Sequence, residues 1–128
     1  MRVIGGQARG TRLRTLRGTR VRPTSDLVRE AIFDILGERV LGSRALDLFA
    51  GSGALGIEAL SRGAKEAVFV ERDQKAAEIV ETNLEACHLE EKGRIYEITT
   101  LSTQVIRQVR KRNLGRIKQE NKWKYVQR

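Results

Sequence analysis

The sequence predicts an α/β fold built on a parallel β-sheet, and three observations support this prediction. Short apolar runs alternate along the chain with stretches of helical periodicity, in the order β-α-β-α-β. The run at 66–71 is almost continuously apolar, as expected of a parallel strand that is buried on both faces. A glycine-rich loop joins the first run to the helix that follows it. Alternation of this kind favours parallel strands connected by right-handed crossovers.

The first 22 residues are predicted to form a basic arm that contains a β-hairpin. They include seven arginines and no acidic residue. Short apolar stretches alternate there with Gly and Arg, and Gly5, Gly6 and Gly10 are suited to the turns. An arginine-rich arm on a globular body indicates a protein that binds a polyanion, most often a nucleic acid. The alternative is a solvated, disordered terminus.

A helix is predicted directly after the arm. Pro23 disfavours helix before it, and Thr24, Ser25 or Asp26 can cap the helix that follows. Gly37 is suited to the end of this helix. Between these limits, apolar residues recur at helical spacing: Leu27, Val28, Ala31, Ile32, Ile35 and Leu36.

Residues 23–100 are predicted to form the α/β domain, and residues 101–128 a basic tail. After its first helix, the domain is predicted to contain strand 45–49, loop 50–53, helix 54–62, strand 66–71, helix 73–88 and strand 94–98. The domain holds nine basic and fifteen acidic residues, whereas the tail holds nine basic residues and one acidic residue. Residues 101–109 have the spacing of one more helix, and residues 118–124 have no periodicity that predicts a helix or strand. The tail either contacts nucleic acid or is solvated.

The glycine-rich loop is the most informative segment of the chain. It has glycines at 51, 53 and 56, and a residue without a Cβ lets a ligand approach the backbone closely. Asp47, at the end of the preceding strand, would repel the pyrophosphate that such a loop holds at a helix N-terminus, which disfavours a nicotinamide or flavin dinucleotide. A nucleotide-like ligand that carries positive charge is favoured, and S-adenosylmethionine, a sulfonium, is the leading candidate. The alternative is that the glycines only allow close packing of strand and helix.

Glu71 ends the second predicted strand, as Asp47 lies at the end of the first. The carboxyl ends of adjacent parallel strands open onto one crevice, where ligands bind in this class of fold. Glu71 follows Gly51 by twenty residues, a spacing at which an acidic residue accepts hydrogen bonds from a ribose. Asp73 either belongs to the same site or caps the next helix, and the cap is the preferred interpretation.

Three motifs of the chain resemble those of the bacterial 16S ribosomal RNA guanine-N2 methyltransferase family. They are Arg2-Val-Ile-Gly-Gly, the segment from Arg22-Pro-Thr-Ser-Asp to residue 36, and the loop segment 47–64 followed by Val68-Phe-Val-Glu-Arg-Asp. They occur in the same order as in the family and cover about residues 1–98. The resemblance implies a Rossmann-like class I methyltransferase fold, S-adenosylmethionine as cofactor and an assembling small ribosomal subunit as partner.

The resemblance also implies which residues form the sites. Asp47, Gly51 and Gly53 would line the methionine end of the cofactor, and Glu71 would hold its ribose. The whole cofactor site would comprise Asp47, Phe49, Ala50, Gly51, Ser52, Gly53, Glu71 and Arg72. The segment from Arg22 to Thr24 would lie beside the active site. The residues that would meet 16S ribosomal RNA are Arg9, Arg12, Arg14, Arg22 and Thr24.

One part of the family pattern is missing. Members carry an Asn/Asp-Pro-Pro-Tyr/Phe motif after a fourth strand, which orients the target amine and stacks the base, but Pro23 is the only proline here. The third strand is followed by Thr99 and Thr100, where members usually have an acid. We therefore expect a sheet truncated after the third core strand, an open sheet edge that favours self-association, no assigned catalytic residue and little or no methyl transfer. A frameshifted or truncated gene product is favoured over a divergent domain, and a non-catalytic basic RNA-binding module is the alternative function.

Composition excludes several other classes of protein. With one cysteine and one histidine, Cys87 and His88, the chain cannot form an internal disulfide or supply the ligands of a zinc site. Met1 is followed by charge rather than an apolar run, and no segment is long enough to span a bilayer. We expect a cytoplasmic protein without metal or membrane contacts.

Overall fold

The computed structural model describes residues 1–16, 25–48, 50–98 and 123–126, and its helices and strands follow the predicted order. The elements are α1 (Asp26–Leu36), β1 (Arg44–Asp47), α2 (Ala54–Ser61), β2 (Glu66–Glu71), α3 (Gln74–Ala86), β3 (Gly93–Ile98) and β4 (Trp123–Val126). Single turns of 3₁₀ helix follow α1, at Gly37–Val40, and precede β3, at Glu90–Lys92.

The strands of the described residues form one sheet in the order β1-β2-β3-β4. The β1–β2 and β2–β3 pairs are parallel, and α2 and α3 are the crossover helices between them. The predicted parallel α/β sheet is therefore confirmed. In the register of the sheet, Asp47 pairs with Phe69 and Glu71 pairs with Glu97, so the carboxyl ends of all three strands lie at one edge.

The centre of the molecule is the packing of α2 and α3 against β2. Residues Ala67–Val70 of β2 are buried, and Ile57, Leu60, Val80 and Leu84 supply the helical side of the core. Gly56 brings α2 very close to the sheet, since a Cβ there would lie 2.3 Å from Cε1 of Phe69. The third glycine of the motif, which lies in α2, is therefore needed for close packing of the helix on the strand.

The described part of the arm, residues 1–16, packs on this core. An antiparallel bridge joins Arg2 and Arg12, and the N–H of Val3 donates to the carbonyl of Thr11 across 2.9 Å. The predicted hairpin is therefore present, although it is held by a single bridge and not by two regular strands. Three of its apolar side chains are buried in the same cluster as the helices and sheet: Val3, Ala8 and Leu13.

The helix ends follow the sequence signals. Ser25 caps α1 by accepting a hydrogen bond from the N–H of Val28. Asp73 lies just before α3 and its carboxylate accepts from the N–H groups of Lys75 and Ala76, which confirms the cap interpretation. The helix predicted over 73–88 therefore starts one residue later, and it ends at Ala86, where the chain turns.

One strand boundary and one prediction for the tail also differ from the structure. The first strand was expected to reach residue 49, but β1 ends at Asp47 and the chain turns at Leu48. The tail was expected to lack a strand, and this was wrong: the backbone of Trp123–Val126 pairs antiparallel with β3. The edge of β3 offers unpaired N–H and C=O groups, and Trp, Tyr and Val have high β-propensity, which local periodicity does not register. The helix expected at 101–109 lies outside the described residues.

Apolar side chains remain exposed on α1 and around β1. Within the described residues, no strand pairs with the outer edge of β1. The exposed large side chains are Leu27, Val28, Ile35, Leu36, Leu41 and Leu46. No helix in the described part of the chain is long and apolar enough to cross a membrane.

Candidate functional site

The loop between β1 and α2 has the conformation that its glycines permit. Gly51 and Gly53 adopt positive φ angles of 54° and 80°. A Cβ on Gly51 would meet nothing within 4 Å, so this part of the loop faces open space. A Cβ on Gly53 would lie 3.0 Å from Cγ1 of Val80, so the second glycine is needed for packing on α3. Only the first glycine leaves backbone accessible to a ligand.

Glu71 holds this loop directly. Its Oε2 accepts a hydrogen bond from the N–H of Gly51 across 2.8 Å, and its Oε1 accepts from the N–H groups of Arg72 (3.0 Å) and Asp73 (3.1 Å). Glu71, which the spacing assigns to a ribose, thus accepts backbone N–H groups of the loop and of the start of α3. The carboxylate is half-buried and already accepts three of about four possible hydrogen bonds.

Asp47 is the last residue of β1, the strand that leads into the loop. It is half-buried at the end of β1, in register with Phe69, whereas Glu71 lies two residues further along β2. At a rise of about 3.3 Å per residue, this stagger is about 7 Å along the strands. The glycine loop is thus flanked by two acidic side chains at the carboxyl edge of the sheet. This arrangement favours a ligand with hydroxyl donors and positive charge.

The structure brings most of the predicted cofactor residues together around this loop. Ala50 is buried and its N–H donates to the carbonyl of Val70, which joins the loop to β2. Ser52 is half-buried, and Arg72 is exposed beside Glu71. Phe49 lies outside the described residues. Predicted residues on the sheet edge are therefore Asp47, Ala50, Gly51, Ser52, Gly53, Glu71 and Arg72.

Asn83 on α3 connects the loop to the arm, and sequence reasoning missed it. Its Nδ2 donates to the carbonyls of Ser52 (2.8 Å) and Arg14 (3.0 Å), and its Oδ1 accepts from the N–H of Arg14 (2.8 Å). The side chain is 1% exposed. A polar residue on the otherwise apolar face of α3 was the available signal, because position 83 falls on the same face as Ile79 and Val80.

A second buried polar group, Glu58 on α2, fixes the tip of the arm. Its carboxylate accepts hydrogen bonds from the N–H groups of Ile4 (2.8 Å) and Gly5 (2.9 Å) and from Nε of Arg62 (2.8 Å). Ser61, one turn later, accepts from the N–H of Ala8 across 2.8 Å. The arm is therefore bound to α2 through its backbone, while Arg9, Arg12 and Arg14 have exposed side chains.

Arg29 of α1 completes this buried cluster. Its Nη1 lies 3.5 Å from Oε1 of Glu58, and both side chains are fully buried. Its Nη2 donates to the carbonyl of Arg2 across 2.9 Å and also contacts Asp26. Arg29 therefore joins α1, α2 and the arm. Nothing in the local sequence distinguishes it from the exposed arginines.

The arginines predicted to bind RNA lie on the outside of the arm. Arg9, Arg12 and Arg14 are exposed, and Arg14 is tied to the loop through its backbone contacts with Asn83. Arg22 and Thr24 lie outside the described residues. The described part of the site thus combines an acidic crevice with a basic arm.

Cys87 is packed behind the arm and is not part of this crevice. Burial raises the pKa of its thiol above the ordinary value, although a hydrogen bond with the side chain of Thr11 opposes this effect. Among the described residues, no group of His, Cys, Asp and Glu is arranged to hold a metal ion. The thiol is therefore a buried, unreactive core group.

The parallel sheet, the glycine loop at its carboxyl edge and the crossover helices define a Rossmann-like α/β fold of the methyltransferase type. The chain matches the family described as Conserved hypothetical protein 95 over residues 1–124. It belongs to that family. The match extends beyond residue 98, where the sequence motifs end.

Individual relatives support the same conclusion. YlbH of Bacillus subtilis (strain 168) is 50% identical over 96 residues, which are 75% of this chain and 52% of that protein. Ribosomal RNA small subunit methyltransferase D of Escherichia coli (strain K12) is 45% identical over 84 residues, 66% of this chain and 42% of that protein. The solved structure of the Thermus thermophilus protein TTHA0928 is 37% identical, with a TM-score of 0.66, and the match covers 83% of this chain and 58% of that one. The chain spans about half the length of the curated relatives it matches.

Proposed function

We propose that this chain binds S-adenosylmethionine at the carboxyl ends of β1 and β2 and derives from the enzymes that methylate guanine N2 in 16S ribosomal RNA. The observation that carries the proposal is the contact between the N–H of Gly51 and the carboxylate of Glu71. It joins the glycine loop to Glu71, the carboxylate at the carboxyl end of β2, which has the chemistry to accept ribose hydroxyls. The relatives that are named as rRNA methyltransferases support the same function.

The residues of the crevice fit the proposed cofactor. Gly51 faces open space, so a ligand can reach the backbone there without a steric conflict. Asp47 and Glu71 place negative charge on both sides of the loop, which suits a sulfonium and a ribose and disfavours a pyrophosphate. The bound cofactor would supply an electrophilic methyl group. The proposed contacts are Asp47, Phe49, Ala50, Gly51, Ser52, Gly53, Glu71 and Arg72.

The proposed RNA surface is the arm. Arg9, Arg12 and Arg14 are exposed, while backbone contacts with Glu58 and Ser61 hold the arm in place. Arg22 and Thr24 are proposed to extend this surface. Phosphate contacts made by such arginines release counterions, so RNA affinity should fall steeply as salt is raised. The proposed target is 16S ribosomal RNA on an assembling small subunit.

We propose that the chain binds the cofactor without transferring its methyl group at a detectable rate. Orienting a guanine amine requires groups that hold the base outside its stack. The resemblance assigns this role to an Asn/Asp-Pro-Pro-Tyr/Phe motif, and the chain has only one proline, Pro23. We therefore assign no catalytic residue within these 128 residues. Guanine-N2 methylation of small-subunit RNA by the purified chain would contradict this part of the proposal.

Calorimetry with S-adenosylmethionine tests the cofactor site. The wild-type chain should bind, and Asp47→Ala and Glu71→Ala should each weaken binding about tenfold or more, since a hydrogen bond to a charged group contributes about 1.5–3 kcal/mol. Asp34→Ala is a matched control, because it removes an exposed acid on α1 that is not among the proposed cofactor contacts. Equal affinities for all four proteins would exclude the proposed site.

The alternative is a non-catalytic RNA-binding module, which the exposed and rigidly held arginines of the arm favour. The two functions differ in whether the chain binds S-adenosylmethionine. A module of this kind would bind RNA with a strong dependence on salt and would give no heat with S-adenosylmethionine. RNA binding by filter retention at low and physiological salt, beside the calorimetry, separates them.

A further inference from the structure

Asn83 uses its whole carboxamide to join two segments that are far apart in sequence. Its two N–H groups donate to the carbonyls of Arg14 and Ser52, and its oxygen accepts from the N–H of Arg14. The side chain therefore pairs with Arg14 as a neighbouring strand would, with one donor and one acceptor. The second N–H of the amide donates to the carbonyl of Ser52 in the glycine loop.

The orientation of this amide is fixed by its partners. With oxygen and nitrogen exchanged, the oxygen would face two carbonyl oxygens and the NH₂ group would face an N–H. Aspartate has no N–H for either carbonyl, and leucine, of similar size, would leave three buried backbone groups without a partner. Asparagine is thus the side chain whose shape and donors suit this position.

The support beneath Asn83 is rigid, whereas its two partners lie in the proposed binding segments. Asn83 lies on α3 next to Leu84, which is fully buried in the core. Ser52 follows Gly51, whose N–H is bound by Glu71, and Arg14 has an exposed side chain on the arm. A change in the position of the Ser52 carbonyl therefore changes the contact that aligns Arg14.

We propose that Asn83 is a positioning residue that couples the glycine loop to the arm, so that S-adenosylmethionine bound at the loop increases the affinity of the arm for RNA. This inference rests on the proposed function, which assigns the cofactor to the loop and RNA to the arm. Coupling of this kind is reciprocal, so bound RNA increases the affinity for the cofactor by the same factor.

The test is the ratio of two RNA dissociation constants, measured without and with saturating S-adenosylmethionine. The probe is a short, fluorescein-labelled single-stranded RNA of mixed sequence, followed by anisotropy. We expect the cofactor to tighten RNA binding by the wild-type chain about fivefold or more, the lower end of typical couplings. In Asn83→Ala, the two dissociation constants should be equal.

Ser61→Ala is the matched control. Ser61 is also buried and also binds the arm, through the N–H of Ala8 and the carbonyl of Gly5, but its hydroxyl has no hydrogen bond to the loop in the described structure. A loosened arm lowers RNA affinity in both variants. In Asn83→Ala the link to Ser52 is lost as well, so the ratio of the two dissociation constants should fall to one. In Ser61→Ala this link remains, so the ratio should equal that of the wild type.

A second measurement needs no variant. The N–H of Arg14 is bound by Oδ1 of Asn83, and its hydrogen exchange should slow about fivefold or more when S-adenosylmethionine is added to the wild-type chain. Unchanged exchange, a ratio of one in the wild type, or the same ratio in Asn83→Ala would overturn the coupling while leaving the proposed function intact. A wild-type chain that binds no S-adenosylmethionine would overturn both.

Discussion

The backbone N–H of Gly51 donates to Oε2 of Glu71 across 2.8 Å, so the glycine loop and the end of β2 form one hydrogen-bonded unit. Arg72 and Asp73 donate to the other oxygen of the same carboxylate. A ribose has two neighbouring hydroxyls, and the three existing bonds leave about one acceptor position. If both ribose hydroxyls donate to Glu71, the carboxylate must give up one of its three backbone N–H groups. The N–H of Gly51 is the one expected to be released, because Gly51 faces open space.

Removing the carboxylate of Glu71 should release the loop. In Glu71→Ala the N–H of Gly51 loses a hydrogen bond to a charged group, which contributes about 1.5–3 kcal/mol, so its hydrogen exchange should accelerate about tenfold or more. Exchange at individual amides, followed by NMR, measures this directly. Glu78→Ala on the exposed face of α3 is the control and should leave Gly51 unchanged. An unaltered Gly51 amide in Glu71→Ala would show that the contact does not hold the loop.

The sequence predicted the order of the elements and the place of Glu71 at the end of β2, because both are local to one β-α-β unit, whereas the hydrogen bond from Gly51 to Glu71 was not predicted. The contact between Gly51 and Glu71 spans 20 residues, and one crossover returns the chain to the adjacent strand at a nearly fixed distance. The cap at Asp73 is more local still, because a carboxylate reaches the N–H groups two and three residues ahead.

The buried polar groups were not predictable in this way. Glu58 meets Ile4 across 54 residues, and Asn83 meets Arg14 across 69 residues. Such contacts depend on where the arm packs on two helices, and no spacing in the sequence encodes that placement. A polar residue within an apolar helical face was the only local signal. The strand β4 was missed for a related reason, since it depends on the edge of β3 and not on its own periodicity.

The arm offers a matched pair of glycines that separates backbone strain from steric overlap. Gly6 and Gly10 have φ angles of 78° and 84°, so alanine at either position costs about 1–2 kcal/mol of strain. A Cβ on Gly10 would meet nothing within 4 Å, whereas one on Gly6 would lie 2.0 Å from the carbonyl oxygen of Ser61. Gly6→Ala should therefore be about 1–3 kcal/mol less stable to urea than Gly10→Ala, the usual cost of overpacking. Equal stabilities would mean that the arm does not lie against α2 in solution.

The pairing of Arg29 with Glu58 predicts a particular pattern in a double-mutant cycle. Glu58→Gln leaves the fully buried guanidinium of Arg29 without its buried counter-charge, and loss of one partner of a buried pair costs about 3–5 kcal/mol. Arg29→Met should be destabilising to a smaller extent, because Glu58 keeps its ion pair with Arg62 while the hydrogen bond to the carbonyl of Arg2 is lost. The double variant should lose clearly less stability than the two single losses added together, because each single variant already loses the Arg29–Glu58 interaction and no buried guanidinium remains without its partner. Urea unfolding of the four proteins measures this, and strictly additive losses would argue against a direct interaction.

Cys87 predicts a fall in stability at alkaline pH. Burial raises the pKa of its thiol in the folded chain, with a weaker opposing effect from the hydrogen bond with Thr11. Above about pH 8.5 the thiol of the unfolded chain ionises, and because its pKa is raised in the folded chain, the folded thiol ionises to a smaller extent at the same pH. The folded state then binds more protons, so the free energy of unfolding falls as pH rises, by at most about 1.4 kcal/mol per pH unit for one group. Below that range the contribution of the thiol to the free energy of unfolding is fully present and does not vary with pH.

Cys87→Ala lacks this group, so between about pH 8.5 and pH 9.5 its urea midpoint should fall less than that of the wild type. Parallel curves for the two proteins would mean that the thiol is not buried in the folded chain.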